Sequence, residues 1–244
     1  MRYGILGDIH ANLAALETAL DTLEELGAEV IVSVGDVVGY GAAPTECIDL
    51  LREVRALVVK GNHDAACVYE VDTTFFNQYA RAAIDWTRGR LSDTDLDWLR
   101  ALPLTLDLPH CQVAHGTLNS PQNFDYLLGI RDAEPSLRAM TKPVCFVGHS
   151  HIPVAVLRPA ECPERLAYCP DPVIDLAEAT RAVVNVGSVG QPRDEDPRLA
   201  VALFDSDQHK VWIHRREYDI EREVLRIRSA GLPPMLADRL WLGV

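Results

Sequence analysis

The sequence contains no apolar run long enough to cross a membrane and no cysteines at C-x-x-C spacing. A membrane-spanning helix needs about 20 mainly apolar residues, and the early charged residues leave no room for the apolar core of a signal peptide. Cys111 and Cys145 lie inside apolar runs, where a reduced thiol packs as a small hydrophobic group. We therefore expect a cytoplasmic protein, and a disulfide between Cys162 and Cys169 is the disfavoured alternative.

Basic residues are scarce, with 23 Lys and Arg against 36 Asp and Glu. The net charge of −13 argues against binding to long nucleic acids, because such proteins present a basic surface. A small phosphoester at a locally cationic site is still compatible with this charge. The 244 residues are 48% hydrophobic and 24% charged and contain no repeat or linker, so we predict a single domain over residues 1–244.

Five apolar runs share one design, in which a predicted strand stops at a polar side chain. The clearest is the run 30–34, which is followed by Gly35 and Asp36. The other runs lead to Asp8 and His10, to Asn62 and His63, to His115, and to His149 and His151. Ligands of open α/β sheets bind at the carboxyl ends of the strands. If these strand ends share one edge, their polar side chains meet in one place.

Apolar residues at helical spacing between the runs predict an α/β fold. Leucines 13 to 26, capped by Asn12, form a helix between two strands, which makes a βαβ unit. Two further helices are predicted within a helical insertion at about 72–102, which we expect to wall the site together with the polar loop 116–131. From Leu104 the chain is β-rich. We expect two stacked mixed sheets flanked by helices, the second completed by the C-terminal half.

The strand-end side chains are of the kinds that bind divalent transition metals. The candidate metal ligands are Asp8, His10, Asp36, Asn62, His115, His149 and His151. Asp36 is the candidate for a carboxylate that bridges two ions. A lone histidine at a strand end is more often a surface or core residue, as we expect for His110, His209 and His214. Five of the eight histidines nevertheless lie at the ends of these runs, and this combination favours a metal site.

The same residues resemble, in order, the five sequence blocks of the calcineurin-like metallophosphoesterase superfamily. The blocks are Asp8-Ile9-His10, Gly35-Asp36, Gly61-Asn62-His63-Asp64, His115 and Gly148-His149-Ser150-His151. The resemblance implies a four-layer αββα sandwich with a dinuclear metal centre. One ion would take Asp8, His10, Asp36 and His151, and the other would take Asp36, Asn62, His115 and His149. His63 would stand beside the ions as the catalytic residue without ligating either.

The implied chemistry suits these residue types. Two divalent ions about 3.5–4 Å apart can clamp a phosphoryl group and activate a water for in-line attack. Asn62 is neutral, so it can ligate without reducing Lewis acidity, and it is also a candidate substrate contact. Histidine ligands favour manganese, with iron or zinc as alternatives, over magnesium. A histidine ordinarily titrates near neutral pH, so we expect His63 to be suited to protonate the leaving oxygen.

Two departures from the family pattern narrow the subclass. The protein-phosphatase branch carries an Asp that orients the catalytic histidine and an Arg that binds phosphate, whereas here Gly35-Asp36 continues into Val37-Val38-Gly39-Tyr40-Gly41. The chain instead resembles the small bacterial and archaeal phosphodiesterases. Its segment 185–193 is similar to one that follows the last metal block in that group, which makes Arg193 a candidate phosphate contact. The alternative for Arg193 is a surface salt bridge within the acidic run 194–196.

We therefore predict a dinuclear metal-dependent phosphoester hydrolase. The expected activity is that of a phosphodiesterase on small nucleotide-like substrates, with some phosphomonoesterase activity. The alternatives are a dinucleoside polyphosphate hydrolase and a catalytically silent metal-binding scaffold, although a silent protein is expected to have lost His63 or a ligand and this chain has lost neither. The expected partner is a small phosphoester, and the sequence pattern defines no oligomeric state.

Overall fold

Twelve β-strands form two mixed sheets in the computed structural model, which describes residues 1–244. The strands are β1 (Arg2–Leu6), β2 (Val30–Ser33), β3 (Leu57–Val58), β4 (Thr105–Asp107), β5 (Cys111–Ala114), β6 (Val144–Val147), β7 (Val154–Pro159), β8 (Ala167–Cys169), β9 (Val173–Asp175), β10 (Ala179–Asn185), β11 (Leu199–Asp205) and β12 (Lys210–Arg216). The first sheet has the order β3-β2-β1-β11-β12-β9, and the second has the order β4-β5-β6-β10-β7-β8.

Helices cover the outer faces of both sheets. The α-helices are α1 (Leu13–Glu25), α2 (Pro44–Glu53), α3 (Asn62–Cys67), α4 (Gln78–Arg88), α5 (Asp93–Ala101), α6 (Ala133–Ala139), α7 (Ile220–Ser229) and α8 (Pro234–Asp238). Short 3₁₀ turns occupy Thr73–Phe75, Pro121–Asn123 and Arg239–Trp241. No helix has the length and apolar character that crossing a membrane requires.

The layers follow from where the apolar side chains are buried. Tyr3, Phe146 and Phe204 belong to a core cluster drawn from both sheets, which places this core between them. A second cluster joins α1 and α2 to the outer face of the first sheet, and α6 packs through Leu137 on the outer face of the second. This arrangement confirms the predicted α/β fold of two stacked sheets between helical layers, as the αββα sandwich requires.

The C-terminal strands are divided between the sheets, so the prediction that they all complete the second sheet was wrong. Strand β11 pairs antiparallel with β1, with Leu6 opposite Val201, and β12 and β9 continue the first sheet. All seven residues of β11 are buried, so the strand needs a neighbour on each side and cover on each face. Its apolar sequence is equally compatible with the centre of either sheet.

Parallel strands bring the predicted strand ends to the same edge. In the first sheet β1, β2 and β3 run parallel, and in the second sheet β5, β6 and β10 do so. These six strands precede all of the candidate site residues, and the antiparallel strands precede none. The site therefore lies where the carboxyl ends of two parallel triplets meet.

Local signals placed several helix ends correctly. The Asn12 side chain accepts a hydrogen bond from the Ala15 amide at 3.0 Å, and Ser92 and Asp95 form a capping box at α5. Two helices were not predicted: α3, which begins directly at Asn62, and α8. All six cysteines are free, so the alternative disulfide between residues 162 and 169 is absent.

Candidate metal centre

Three overlapping groups of buried side chains lie at the shared edge of the sheets. Within each group the potential ligand atoms lie within 4.8 Å of one another. The groups are Asp8 with His10 and His151, Asp36 with His115 and His149, and His10 with Asp36 and His63. All of these side chains are 5% exposed or less. The structure thus brings together the residues that the sequence pattern had placed at separate strand ends.

The first group presents two imidazole lone pairs to each other. His10 Nδ1 lies 3.1 Å from the Val38 carbonyl oxygen, and His151 Nδ1 lies 2.6 Å from that of Gln191. Because each Nδ1 must donate to its carbonyl, both Nε2 atoms carry lone pairs, and they face each other at 3.2 Å. Asp8 Oδ1 is 3.4 Å from His151 Nε2. Such an arrangement repels unless a cation lies between the atoms.

The second group is built in the same way around His115. Its Nδ1 donates to the Val34 carbonyl oxygen at 2.8 Å, which fixes the ring so that Nε2 faces the site. That Nε2 lies 3.1 Å from both Asn62 Oδ1 and His149 Nδ1. Asn62 is neither an acid nor a histidine, but its side-chain amide oxygen lies next to this second group of ligands.

Asp36 lies between the two groups. Its Oδ2 is 3.6 Å from His10 Nε2 and 3.3 Å from His115 Nε2, and its Oδ1 accepts a hydrogen bond from the His63 amide at 2.8 Å. Burial opposes its ionisation, but the charges of His115 and His63 and a hydrogen bond from His115 hold the pKa of Asp36 well below its usual range. A carboxylate that is ionised and shared in this way is suited to bridge two cations.

The donor set fits divalent metals in spacing and in protonation state. Ligand atoms about 2.1 Å from one ion in a tetrahedral site lie about 3.4 Å apart, close to the separations of 3.1–3.6 Å found here. Burial lowers the pKa values of His10, His149 and His151 well below the usual range, so these rings are neutral, as ligands must be. At His115 burial again opposes the charged ring, but the Asp36 carboxylate raises its pKa to about 9, so a bound ion has to displace that proton. Burial also raises the pKa of Asp8 to about 7, and Asp8 forms no Lys or Arg salt bridge.

The backbone of the centre is strained. Five of the seven candidate ligands have φ values between 44° and 68°, in the left-handed region that is unusual for residues other than glycine: Asp8, His10, Asp36, His149 and His151. Such conformations cost roughly 1–3 kcal/mol each and persist only where the surrounding structure imposes them. Here the main chain is held by contacts such as the His149 amide, which donates to Asp8 Oδ1 and Oδ2 at 3.1 Å.

His63 is oriented by packing instead of by a carboxylate. Its ring centroid lies 4.5 Å from that of Tyr40, 4.8 Å from that of His10 and 5.4 Å from that of Phe76. Its Nδ1 is buried and has no hydrogen-bond partner. Burial, reinforced by the charge of Arg193, lowers the pKa of His63 to about 4 despite the nearby Asp36 carboxylate.

The glycine-rich loop after Asp36 supplies the room for this ring. A Cβ atom at Gly39, whose φ is +88°, would collide with His63 Nδ1. Asp64 fixes the loop from the other side, because its carboxylate accepts hydrogen bonds from the amides of Val37 and Val38 at 2.9 and 3.2 Å. The sequence shows the glycines of this loop, but it does not show that Gly39 makes room for the His63 ring.

Arg193 is free of the acidic run that follows it. Asp194 pairs with Arg215, and Asp196 pairs with Arg198, so neither is available to it. The Arg193 guanidinium donates only to Gln191 Oε1, from Nη2 at 2.8 Å and from Nε at 3.3 Å. The structure therefore contradicts the alternative of a surface salt bridge for Arg193.

A cleft with aromatic walls opens beside the centre. It has a volume of about 410 Å³, and Asn62, His63 and His149 form part of its base. One wall carries Phe75 and Phe76, next to α4. The cleft is also lined by Asn123, Phe124 and Tyr126, and the Tyr126 ring stacks on His149 with centroids 3.8 Å apart and planes at 17°. The segments 72–102 and 116–131 thus both contribute walls, as the sequence predicted.

Comparison with known proteins identifies the family pattern over most of the chain. Residues 1–209 match the model of the calcineurin-like phosphoesterase superfamily domain. An uncharacterized protein of Methanocaldococcus jannaschii is 34% identical over 245 residues, which cover 98% of this chain and 97% of that protein. Phosphodiesterase YfcE of Escherichia coli is 27% identical over 168 residues, which cover 65% of this chain and 73% of that protein.

A solved structure agrees with the sequence matches. The crystal structure of a metallophosphoesterase from Sphaerobacter thermophilus has a TM-score of 0.87 and 38% sequence identity to this chain. The superposition covers 100% of this chain and 99% of the other. The likeness therefore includes residues 210–244, which lie beyond the matched family domain.

Proposed function

The chain belongs to the calcineurin-like phosphoesterase superfamily, and on that premise we propose that it is a phosphodiesterase for nucleotide-sized substrates with some phosphomonoesterase activity. Metal-dependent phosphoester hydrolysis is the activity of the family. The finer assignment rests on the aromatic cleft of about 410 Å³ at His63. Ligand sites of small molecules typically measure about 300–1,000 Å³ and are lined mainly by apolar and aromatic side chains.

The cleft has the properties of a site for one flat organic group. Phe75 and Tyr126 both line it, and 93% and 48% of their surfaces are exposed. Stacking of a base on an aromatic side chain contributes about 1–3 kcal/mol and is tolerant of base identity. A diester bound with its phosphoryl group at the base of the cleft would place a nucleoside or aryl group between these rings.

The dinuclear centre of the family has a complete set of candidate ligands here. We assign Asp8, His10, Asp36 and His151 to one ion and Asp36, Asn62, His115 and His149 to the other. When bound, the ions would clamp the phosphoryl oxygens and activate the attacking water. The mixture of imidazole, carboxylate and amide donors favours manganese, with iron or zinc as alternatives.

His63 is assigned as the acid that protonates the leaving oxygen. Its ring borders the cleft where the ester group would leave, next to the Asp36 carboxylate. With a pKa of about 4 the free ring is neutral at pH 7. An incoming anionic phosphoryl group favours the protonated ring, which is the form that can donate a proton to the leaving oxygen.

Two further groups are assigned to phosphate binding. The Asn62 side chain lies at the base of the cleft beside His63 and can contact both an ion and a phosphoryl oxygen. Burial is the main cause of the lowered pKa values of His10, His63 and His149, and the charge of Arg193 contributes to all three, so its field reaches the centre. In a chain with net charge −13, this local cation can attract an anionic substrate.

The test is a substrate panel with manganese, iron, zinc or magnesium added separately. We expect the nitrophenyl ester of thymidine monophosphate to be hydrolysed faster than methyl nitrophenyl phosphate, and both faster than nitrophenyl phosphate. A folded phosphoprotein should be a poor substrate because it cannot enter between the cleft walls. Comparable turnover of a folded phosphoprotein and a small diester at equal concentration would contradict the proposal.

A further inference from the structure

A segment that supplies no candidate ligand joins the two sheets at the candidate centre. Residues 185–191 leave the end of β10 in the second sheet and reach the end of β1 in the first sheet, where Asp8 lies. The Gly190 amide donates to the Asp8 carbonyl oxygen at 3.0 Å. A Cβ atom at Gly190 would collide with the Ile9 carbonyl oxygen, so the two stretches of main chain are in direct contact.

Ser188 makes the central side-chain hydrogen bonds of this segment. Its hydroxyl donates to the Asp8 carbonyl oxygen at 2.8 Å and accepts from the Gln191 amide at 2.8 Å. The Gln191 carbonyl oxygen in turn accepts the hydrogen bond from His151 Nδ1 at 2.6 Å. One side chain is thus bonded to the main chain of one candidate ligand and, through a single residue, to the imidazole of another. Ser188 is fully buried, so bulk water does not compete for either bond.

Both ligands that Ser188 reaches belong to the same ion, which we call the first site. The φ values of Asp8 and His151 are 44° and 61°, in the region that is costly for residues other than glycine. Without the Ser188 hydroxyl, the Asp8 carbonyl oxygen would keep only the Gly190 amide as a partner. Because a metal site needs its donor atoms within about 0.5 Å of the productive geometry, relaxation of this strain would weaken binding.

The ligands of the other ion, which we call the second site, are held by different contacts. His115 Nδ1 donates to the Val34 carbonyl oxygen at 2.8 Å, and Asn62 Oδ1 and His149 Nδ1 each lie 3.1 Å from His115 Nε2. The Ser188 hydroxyl bonds to none of these residues. The two sites therefore differ in whether they depend on Ser188.

We propose that Ser188 is a positioning residue for the first site and has little influence on the second. The first site is the one assigned to Asp8, His10, Asp36 and His151. This role rests on the proposed function, because the division of the ligands between two ions is part of it. Ser188 is assigned no contact with an ion or a substrate and acts through the main chain of Asp8 and Gln191. The loss of an outer partner of this kind costs about 10- to 100-fold in metal affinity.

The experiment separates the two sites before it tests Ser188. His149→Ala removes a ligand of the second site only, and His151→Ala removes a ligand of the first site only. Manganese binding to each metal-free variant is measured by isothermal titration calorimetry, with and without Ser188→Ala. We expect Ser188→Ala to weaken binding about 10- to 100-fold in the His149→Ala background. In the His151→Ala background the change should be about twofold or less.

Ser136→Ala is the matched control, because Ser136 is also fully buried and has the same pattern of hydrogen bonds. Its hydroxyl accepts from the Leu118 amide at 2.9 Å and donates to Asn119 Oδ1 at 3.1 Å. Both serine variants should lower the free energy of unfolding of the metal-free protein, since each leaves a buried amide without its partner. Only Ser188→Ala should change the metal affinity. Ser188→Cys, which retains a weak donor, should bind manganese with an intermediate affinity in the His149→Ala background.

Metal binding is measured without turnover, so failure of this role is distinguishable from failure of the proposed function. Equal weakening in the two backgrounds, or no weakening in either, would overturn the role of Ser188 even if diesters are hydrolysed. Weakening confined to the His149→Ala background would support it even if the preferred diester proved to be a poor substrate. If Ser188→Ala does not fold, Ser188→Cys is compared in the same two backgrounds and is judged by the same outcomes.

Discussion

The seven candidate ligands form the floor of the candidate site, and the aromatic residues of the cleft form its walls. The acidic and histidine side chains of the floor are at most 5% exposed, whereas Phe75 and Tyr126 on the walls are 93% and 48% exposed. Floor side chains are fixed by hydrogen bonds to the main chain, as His115 is to the Val34 carbonyl. On the walls, Tyr126 is held by stacking on His149, whereas Phe75 is almost fully exposed. The floor is thus organised for chemistry common to all substrates, and the walls for selection among substrates.

The largest expected effect of this division is at the floor. Asp36→Asn should lower the turnover of every substrate in the panel by more than about 100-fold, because the loss of even an outer partner of a metal ligand costs 10- to 100-fold. Steady-state rates on the diester and monoester measure the effect. Asp21→Asn, at an exposed carboxylate on α1, is the matched control. A loss of turnover on only one of the substrates would mean that Asp36 contributes to substrate selection instead of to the common chemistry.

His63 lies at the border of floor and walls, and its effect should depend on the leaving group. His63→Ala should lower hydrolysis of alkyl esters by about 100-fold, near the low end for a general acid, because no carboxylate orients the ring. Nitrophenyl esters should lose far less, since nitrophenolate leaves without a proton. The comparison is made on two diesters with the metal content verified, and His209→Ala serves as control.

Two other outcomes would change the assignment of His63. Equal losses on alkyl and nitrophenyl esters, with both ions retained, would mean that the ring stabilises charge in the transition state. Loss of an ion would make His63 a ligand, which its position within 4.8 Å of donor atoms of His10 and Asp36 permits geometrically.

At the walls we expect effects on KM instead of kcat. Phe75→Ala and Tyr126→Ala should each raise KM for a nucleoside diester about tenfold by removing a stacking surface. KM for methyl nitrophenyl phosphate should change little, because its methyl group has nothing to stack. Leu128→Ala is the control, since Leu128 is 76% exposed and does not line the cleft. A fall in kcat on both substrates would mean that the walls also position the reacting group.

The smallest expected effect is on stability, and it concerns Glu223, a buried carboxylate outside the floor. Glu223 on α7 accepts a hydrogen bond from the Ala14 amide at 2.9 Å, and its other oxygen has no partner. Burial raises the pKa of Glu223, so folding favours the protonated acid and its ionisation costs stability as pH rises above the unfolded value of about 4.3.

Glu223→Gln keeps the acceptor and removes the charge, so it should raise the free energy of unfolding at pH 7. The gain should shrink toward pH 4, where Glu223 is itself protonated. Urea unfolding at both pH values measures it, and Glu221→Gln on the exposed side of the same helix is the control. A loss of stability at pH 7 would show that the ion pair with Arg226, at 3.7 Å, outweighs burial.

The floor was predictable from sequence because strand ends and ligand chemistry are local signals. An apolar run that stops at Asp36 or His115 identifies both the strand and the side chain at its carboxyl end. The walls were predictable only as segments, because which ring of residues 72–102 or 116–131 faces the site depends on tertiary packing. The sheet to which β11 belongs is likewise decided by its pairing with β1.

The most direct test of the shared floor is the metal content of the purified protein, measured by elemental analysis after loading with manganese and removal of free metal. We predict two ions per chain in the wild type and weakened binding of both in Asp36→Asn, because Asp36 Oδ2 lies beside both His10 and His115. One ion in the wild type, or two tightly held ions in Asp36→Asn, would contradict the bridged centre.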